Sequence, residues 1–276
     1  MDDSLRMAGA GVAEAAYGAY RPDLLSRLLV GLARHTPFGR GGARNLIRTI
    51  LRNRNDGPLD GHMFGLPVRC HLDENRCEWK AFLKPSMFDP LERAAVASVM
   101  DRDEAVFLDI GANIGVHSLA AAAKARADAR IVAFEPHPVT FGRLAFNLAQ
   151  CGHDGALAVQ TALGDEDGYA TLGGDDLSLR SLGLEGDGPQ VRVRPLVDCL
   201  ADLGIAHIDA MKIDVEGYED RVMRHFLHHA SDDLLPRLVI IEHLGRAAWN
   251  FDCIAALEAR GMRVERTAGN NTFLSR

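Results

Sequence analysis

The chain has 276 residues, 47% hydrophobic and 25% charged, with a formal net charge of −7. That composition excludes a disordered or fibrous chain, and the acidic balance gives no general attraction to nucleic-acid phosphates. The length fits one core-bearing domain with an added segment better than two full domains. Five cysteines (Cys70, Cys77, Cys151, Cys199, Cys253) form no CxxC pair, and they read as reduced thiols in a chain long enough to bury a core without staples. No apolar run approaches the ~20 residues of a spanning helix. The acidic start Met1-Asp2-Asp3-Ser4 is followed by no continuous apolar stretch, so no secretory signal is expected and the cytoplasm is the expected compartment.

Residues 1–60 differ in texture from the rest and are expected to form a helical N-terminal extension. Leu24, Leu25, Leu28, Leu29 and Leu32 recur at helical spacing, and Leu46, Ile47, Ile50 and Leu51 repeat the pattern after Gly39-Arg40-Gly41-Gly42. Arg21, Arg27, Arg34, Arg44, Arg48, Arg52 and Arg54 occupy the other face. Such a basic amphipathic segment, residues 1–56, suits an anionic membrane surface or an acidic partner. The plainer expectation is an appendage that packs its leucines on the main domain or on another subunit.

Residues 61–104 read as a small β-hairpin followed by a linking helix. The helix starts at Asp89-Pro90-Leu91-Glu92, with Asp89 as cap and proline at the first helical position. From 105 to 276 the pattern alternates strand and helix. Strands are expected at 105–110, 130–135, 157–163, near 169–172, at 208–214 and at 238–243. Helices are expected at 116–126, 139–150, 196–203, from 218 and at 247–259, and residues 173–189 read as a long Gly- and Asp-rich loop. Apolar strands without alternation, separated by amphipathic helices, predict an α/β fold with a mostly parallel sheet covered by helices on both faces. The last two strands, near 262–266 and 272–274, are expected as an antiparallel pair at one edge.

The sharpest motif is Val106-Phe107-Leu108-Asp109-Ile110-Gly111-Ala112-Asn113-Ile114-Gly115, a strand running through a glycine turn into a helix. Gly111 and Gly115 permit a tight turn, and the helix start offers unpaired N–H groups. In a dinucleotide fingerprint the second and third glycines would fall at 113 and 116, where this chain has Asn113 and Val116. Asp109 is a poor neighbour for a pyrophosphate and a good one for an ammonium group. Glu135 ends the next strand about 20 residues on, where a carboxylate can take both hydroxyls of a ribose. A nucleoside that carries a cation and no phosphate is S-adenosylmethionine. Asp109, Gly111, Ala112, Asn113, Gly115 and Glu135 are therefore its candidate binding residues. Asp165, after the third strand, is a candidate acceptor for the adenine amino group. A second cluster, Lys212-Ile213-Asp214-Val215-Glu216-Gly217, puts Asp214 and Glu216 at a strand's carboxyl end, and Glu242 and His243 end the next strand.

These motifs, with Phe134-Glu135-Pro136, Asn147 in the following helix and the terminal Ile241-Glu242, occur in an order and spacing that resembles the FkbM family of class I, S-adenosylmethionine-dependent methyltransferases. The resemblance runs from about Gly61 to the C-terminus. It implies a seven-stranded, Rossmann-like sheet with its last strand antiparallel. It also implies methyl transfer to a hydroxyl on a sugar, glycolipid, polysaccharide or secondary metabolite. Such transfer needs a base for the hydroxyl proton. His243 is the expected base, with Asp214, Glu242 and Glu216 as catalytic partners and Asp214 also beside the cofactor. The same carboxylates are an alternative Mg²⁺ ligand set, but no metal site is assigned. The expected partner is a hydroxyl-bearing small molecule or glycan, with no nucleic acid. The alternatives are an NAD(P)-binding oxidoreductase, which would use the same sheet and Glu135, and a non-catalytic S-adenosylmethionine-binding module.

Overall fold

The computed structural model describes residues 15–173, 181–183 and 188–276. Helix α1 (Leu24–His35) starts where the Asp23 carboxylate accepts the Ser26 N–H at 2.7 Å, and α2 (Gly41–Arg54) follows. Their packing differs from expectation. Val30, Ala33, Ile47 and Leu51 are the side chains buried against Trp79, Phe82 and Leu83, while Leu24, Leu25, Leu28, Leu32 and Leu46 stay exposed. On α1 the buried face is carried by Ser26, Val30 and Ala33, and most of its leucines turn outward.

Strands β1 (Leu59–Met63) and β2 (Leu66–Cys70) form the expected hairpin. Its anchor is the buried Arg69 guanidinium, which donates to both Asp60 oxygens at 2.8 and 3.0 Å and lies over the Tyr20 and Phe146 rings. Asp60 also accepts the Gly18 and Tyr20 N–H groups, so one ion pair straps residues 15–20 to the hairpin. Helix α3 (Arg76–Leu83) carries the Trp79 and Phe82 that meet α1 and α2. Helix α4 (Pro90–Met100) begins as expected at Pro90, but Asp89 does not cap it. Asp89 sits at φ +41° with no capping hydrogen bond, and its carboxylate turns towards His117.

The main unit continues with β3 (Val106–Ile110), α5 (Val116–Ala122), β4 (Arg130–Phe134), α6 (Pro138–Gln150) and β5 (Ala156–Val159). Then come β6 (Ala162–Gly164), β7 (Gly168–Gly173), β8 (Ser181–Gly183), β9 (Gln190–Pro195) and α7 (Leu196–Asp202). The chain ends with β10 (Ala210–Ile213), α8 (Glu219–His229), β11 (Leu238–Glu242), α9 (Cys253–Ala259), β12 (Arg263–Ala268) and β13 (Asn271–Ser275). The seven-stranded sheet has the order β12-β13-β11-β10-β3-β4-β5, with every neighbouring pair parallel except those made by β13. Fold class and antiparallel last strand are as expected.

Both faces of this sheet are covered. Val106, Leu108, Met211, Ile213, Val239 and Ile241 face α7, α8 and α9. Phe107, Ala210 and Ile240 face the side of α4 and α5. Period two along each strand therefore puts Asp109, Lys212, Asp214 and Glu242 on the second of these faces.

Several expected boundaries change. The strand expected at 157–163 is two strands in different sheets, because β5 stops at Val159 and β6 joins a separate four-stranded sheet of order β6-β9-β7-β8. Strand β9 was not foreseen, although Gln190-Val191-Arg192-Val193-Arg194 alternates polar and apolar. Within the loop expected at 173–189, Ser181–Gly183 pair with β7, and 174–180 and 184–187 lie outside the described residues. The helix expected at 247–259 is a 3₁₀ turn over Arg246–Ala248 followed by the shorter α9. All five cysteines are free thiols, and no described helix is long and apolar enough to cross a membrane.

Replacing Asp60 with alanine should break the buried ion pair that it makes with Arg69, and cost about 3–5 kcal/mol. Equilibrium urea denaturation measures this. A loss below 1 kcal/mol, the range of an exposed ion pair, would show that Arg69 does not anchor the N-terminal strap.

Candidate active site

A cavity of about 270 Å³ lies across the carboxyl ends of β10, β3, β4 and β6. Its floor is the glycine turn between β3 and α5. Gly111 has φ +78°, and a Cβ there would fall 1.8 Å from the Asp214 carbonyl oxygen, so glycine is required by the neighbouring strand end. Gly115, at φ +88°, is in the left-handed region, and a Cβ there would meet only the flexible end of the Leu144 side chain. Gly111 thus serves close packing of the turn and Gly115 its backbone conformation, beyond the ligand approach that the motif predicts. Ala112 and Asn113 line the cavity. The Asn113 amide oxygen accepts from Asn75 Nδ2 at 2.6 Å and from the Ile114 N–H at 2.8 Å. Asn147 closes the turn from behind, donating to the Ile114 carbonyl and accepting the Arg69 N–H.

Asp109 is fully buried under the turn and does not line the cavity. Its Oδ2 accepts the Ser118 N–H at 3.0 Å and the Ser118 hydroxyl at 2.6 Å, holding the first turn of α5 to the strand. Its Oδ1 has no hydrogen-bond partner among the described residues. On the next strand, Lys212 is the ladder partner of Asp109, and its buried ammonium donates to Asp214 Oδ2 at 2.7 Å. Burial by itself would lower the Lys212 pKa, but Asp214, Asp109 and Asp89 outweigh it and raise it. Lys212, to which the sequence reading assigned no role, is the local counter-charge of the site.

Glu135 stands at one end of the cavity. Its Oε2 accepts the Asn113 N–H at 3.0 Å and its Oε1 accepts the His137 N–H at 2.9 Å. Each oxygen keeps lone-pair capacity for one more donor, so the group fits two vicinal hydroxyls. Burial, with Asp109 adding like charge, outweighs the two amide bonds and pushes the carboxyl up to about 7. Phe134, Thr161, Ala162, Leu163 and Leu172 continue the wall beside it, giving a mostly apolar slot. Asp165 does not reach this slot. It is ion-paired with Arg224 outside the cavity lining, where Thr161, Ala162 and Leu163 stand instead.

The opposite end is polar. Asp214 and Glu216 line it, as expected, together with Cys77 and Lys80 from α3, Phe88, Asp89 and His117. His117 is buried, its Nε2 has no hydrogen-bond partner among the described residues, and that atom lies 3.4 Å from Asp89 Oδ2. Burial alone would raise the Asp89 pKa, but His117, Lys212 and Arg93 hold it below the usual carboxylate range. The backbones of Asp89, Asn113 and Glu216 are left-handed, with φ of 41°, 53° and 53°. Non-glycine residues in that region cluster at functional sites.

Two expected members of the rim stand elsewhere. Glu242 does not line the cavity, although it is close enough to feel Asp214, Glu216 and Glu219, and with burial they push its carboxyl up to about 8. His243 follows it on the opposite face of the strand. Its Nδ1 lies 3.0 Å from the Thr272 hydroxyl and its N–H donates to the Asn270 carbonyl. The structure thus brings Asp214, Glu216 and, at a distance, Glu242 together and turns His243 away. His117 and Asp89 were missed, although His117 lies two residues past the glycine turn, in the first turn of α5. Among the described residues no group of three His, Cys, Asp or Glu is arranged to hold a metal ion.

An open α/β sheet with a glycine turn, a carboxylate at the end of the second strand and a polar cavity at the strand ends defines the class I methyltransferase architecture. The family model "Methyltransferase FkbM domain" matches residues 109–264, and the chain belongs to that family. The matched region is thus a methyltransferase domain by family, which sets aside the oxidoreductase alternative. A curated relative, Methyltransferase 1 of Beauveria bassiana (strain ARSEF 2860), is 29% identical over 162 residues, which span 50% of this chain and 64% of that protein. Among solved structures, the O-methyltransferase TomG of Streptomyces achromogenes, in complex with SAM, is 17% identical over 67% of this chain and 78% of that one, with a TM-score of 0.42. Precorrin-6y C5,15-methyltransferase of Geobacter metallireducens GS-15 is 18% identical over 66% of this chain and 85% of that one, with a TM-score of 0.41.

An ionised Glu135 can accept from two vicinal hydroxyls, one on each oxygen, and protonation turns one of those acceptors into a donor. Because its pKa lies near 7, affinity for S-adenosylhomocysteine should fall as pH drops from 8 to 6. Glu135→Gln should abolish this dependence and weaken binding by about 1.5–3 kcal/mol. Titration calorimetry at several pH values checks both, and a flat wild-type profile would remove Glu135 from the ribose.

Proposed function

We propose that the protein transfers a methyl group from S-adenosylmethionine to a hydroxyl of a polar acceptor of the sugar, glycolipid, polysaccharide or secondary-metabolite kind. The observation that carries this reading is the polarity of the cavity. One end offers Glu135 beside an apolar slot, which suits adenosine. The other gathers Asp89, His117, Asp214 and Glu216, which suits a molecule rich in hydroxyls. Of the carboxylates around Lys212, Asp89 and Asp214 line the cavity and suit the cationic methionine portion. S-adenosylmethionine, when bound, supplies a methyl group on a sulfonium, a good leaving group that needs no metal or redox partner.

The chain's own contributions are positioning and proton transfer. Lys212 holds Asp214 in place by the 2.7 Å bond, leaving its other oxygen to accept from an acceptor hydroxyl. Holding the nucleophile in line with the transferred group is a large part of such catalysis. An alcohol attacks well only as its proton leaves. We assign that proton to the His117–Asp89 pair, whose Nε2 and Oδ2 face each other at 3.4 Å in the wall of the cavity. The Asp89 carboxylate, held ionised, keeps lone-pair capacity for an acceptor hydroxyl beyond what it shares with the imidazole. The acceptor oxygen exchanges its proton for the methyl, and the proton passes to this pair and then to water. His243, the base expected from the sequence, is replaced in this role because it faces the other side of the sheet.

His117→Gln should lower turnover by roughly 10²–10⁴ while S-adenosylhomocysteine affinity is retained. Asp89→Asn should give an intermediate loss, and His243→Ala should leave turnover close to wild type. The assay is transfer of labelled methyl to a panel of sugar, polyol and glycolipid acceptors. If His243→Ala were crippled and His117→Gln active, the assignment would be reversed.

A further inference from the structure

The molecule carries a second cavity, of about 470 Å³, on the N-terminal helices and outside the methyl-transfer site. Arg21, Arg27 and Arg34 line it, with Tyr17 and His62. The one carboxylate in its wall, Asp60, is already taken up by Arg69 and two backbone N–H groups. Arg34 donates to the Phe82 carbonyl, whereas Arg21 and Arg27 form no ion pair among the described residues. A cavity walled by guanidinium groups with no carboxylate left to pair them is suited to an anion such as a phosphate.

Beside this cavity lies the outward leucine face. Leu24 and Leu28 are 66% and 62% exposed, and Leu25, Leu32, Phe38 and Leu46 are exposed with them. On α1, Leu24, Leu28 and Leu32 follow one another a turn apart, and Arg27 flanks them. Large apolar side chains exposed in one contiguous face mark an interaction surface. Its charge is equally one-sided: residues 15–55 contain eight arginines and one carboxylate, Asp23, in a chain of net charge −7.

We propose that this face docks on an anionic phospholipid surface, with the leucines of α1 entering the headgroup–acyl boundary and the arginine cavity taking a lipid phosphate. Leucines between arginines suit a lipid surface better than nucleic acid, which offers the charge and no apolar layer. A helix of 12 residues, about 18 Å long, lies in the interface plane and does not span it. Near an anionic leaflet each arginine is worth roughly a fivefold gain in affinity, and the gain is screened by salt.

The test is co-sedimentation of the full-length protein with phosphatidylcholine vesicles, with and without phosphatidylglycerol. The wild type should sediment with the anionic vesicles, and be released by salt. The double variant Leu24→Ser, Leu28→Ser should bind roughly tenfold or more weakly. Arg21→Gln with Arg27→Gln should lose the preference for phosphatidylglycerol. Both variants alter exposed groups and should keep the wild-type melting temperature and S-adenosylhomocysteine affinity, which separates this outcome from misfolding. Three results would overturn the proposal: no sedimentation with anionic vesicles, sedimentation unaffected by the leucine pair, or a stable dimer that the leucine pair breaks apart. The last would assign the face to a second copy of the chain.

Discussion

The carboxyl end of the sheet is held together by one buried ammonium. Asp109, Asp214 and Glu242 sit on the same face of three neighbouring strands, with Asp89, Glu216 and Glu219 close by. Left to themselves these carboxylates would repel one another across a site that is poorly solvated. Lys212 lies among them, bonded to Asp214 and next in register to Asp109. Glu242, farther off, is pushed up to about 8 by burial first and then by the like charge of Asp214, Glu216 and Glu219. The floor of the cavity thus combines a fixed positive charge with a ring of acceptors. That arrangement favours a cationic ligand and hydroxyl donors and disfavours a phosphate.

The two ends of the cavity come from different parts of the chain. The end beside Glu135 is built by β4, the turn after it and β6, all within the family-matched region of 109–264. The opposite end borrows Cys77, Lys80, Phe88 and Asp89 from the segment before β3, which lies outside that region. This division has a physical basis. A shared donor asks for the same residues at the strand ends, whereas acceptors differ, and a segment added in front of the sheet can vary without disturbing the donor site.

Much of the architecture is legible in the sequence because burial on both faces leaves a distinctive trace. Runs such as Val106-Phe107-Leu108 and Ile131-Val132-Ala133 can be neither alternating edge strands nor amphipathic helices. Glu135 is legible too, since its distance from the glycine turn fixes it at the adjacent strand end. Its neighbour set is less so. Glu242 and His243 are adjacent in sequence, yet successive strand residues face opposite sides, and counting parity from Ile240 would have separated them. Asp89 was read as a helix cap because Asp-Pro is a strong local signal, but the side chain goes to His117, a contact the local signal does not encode. The outward leucines fail for a similar reason. Periodicity identifies an apolar face, but α1 has apolar residues on both sides, and packing chose the smaller ones.

Asn147 has a consequence for how the molecule opens. Its side-chain amide accepts the main-chain N–H of Arg69, from the hairpin, and donates to the Ile114 carbonyl, from the glycine turn. Both partners are buried, so neither bond can be traded for water without moving α6. The hairpin and the cavity floor therefore belong to one cooperative opening unit, although 45 residues of sequence separate Arg69 from Ile114. In hydrogen exchange, the Arg69 amide is a reporter placed well away from the ligand, and tightening of the cavity around a bound nucleoside would register there as slower exchange.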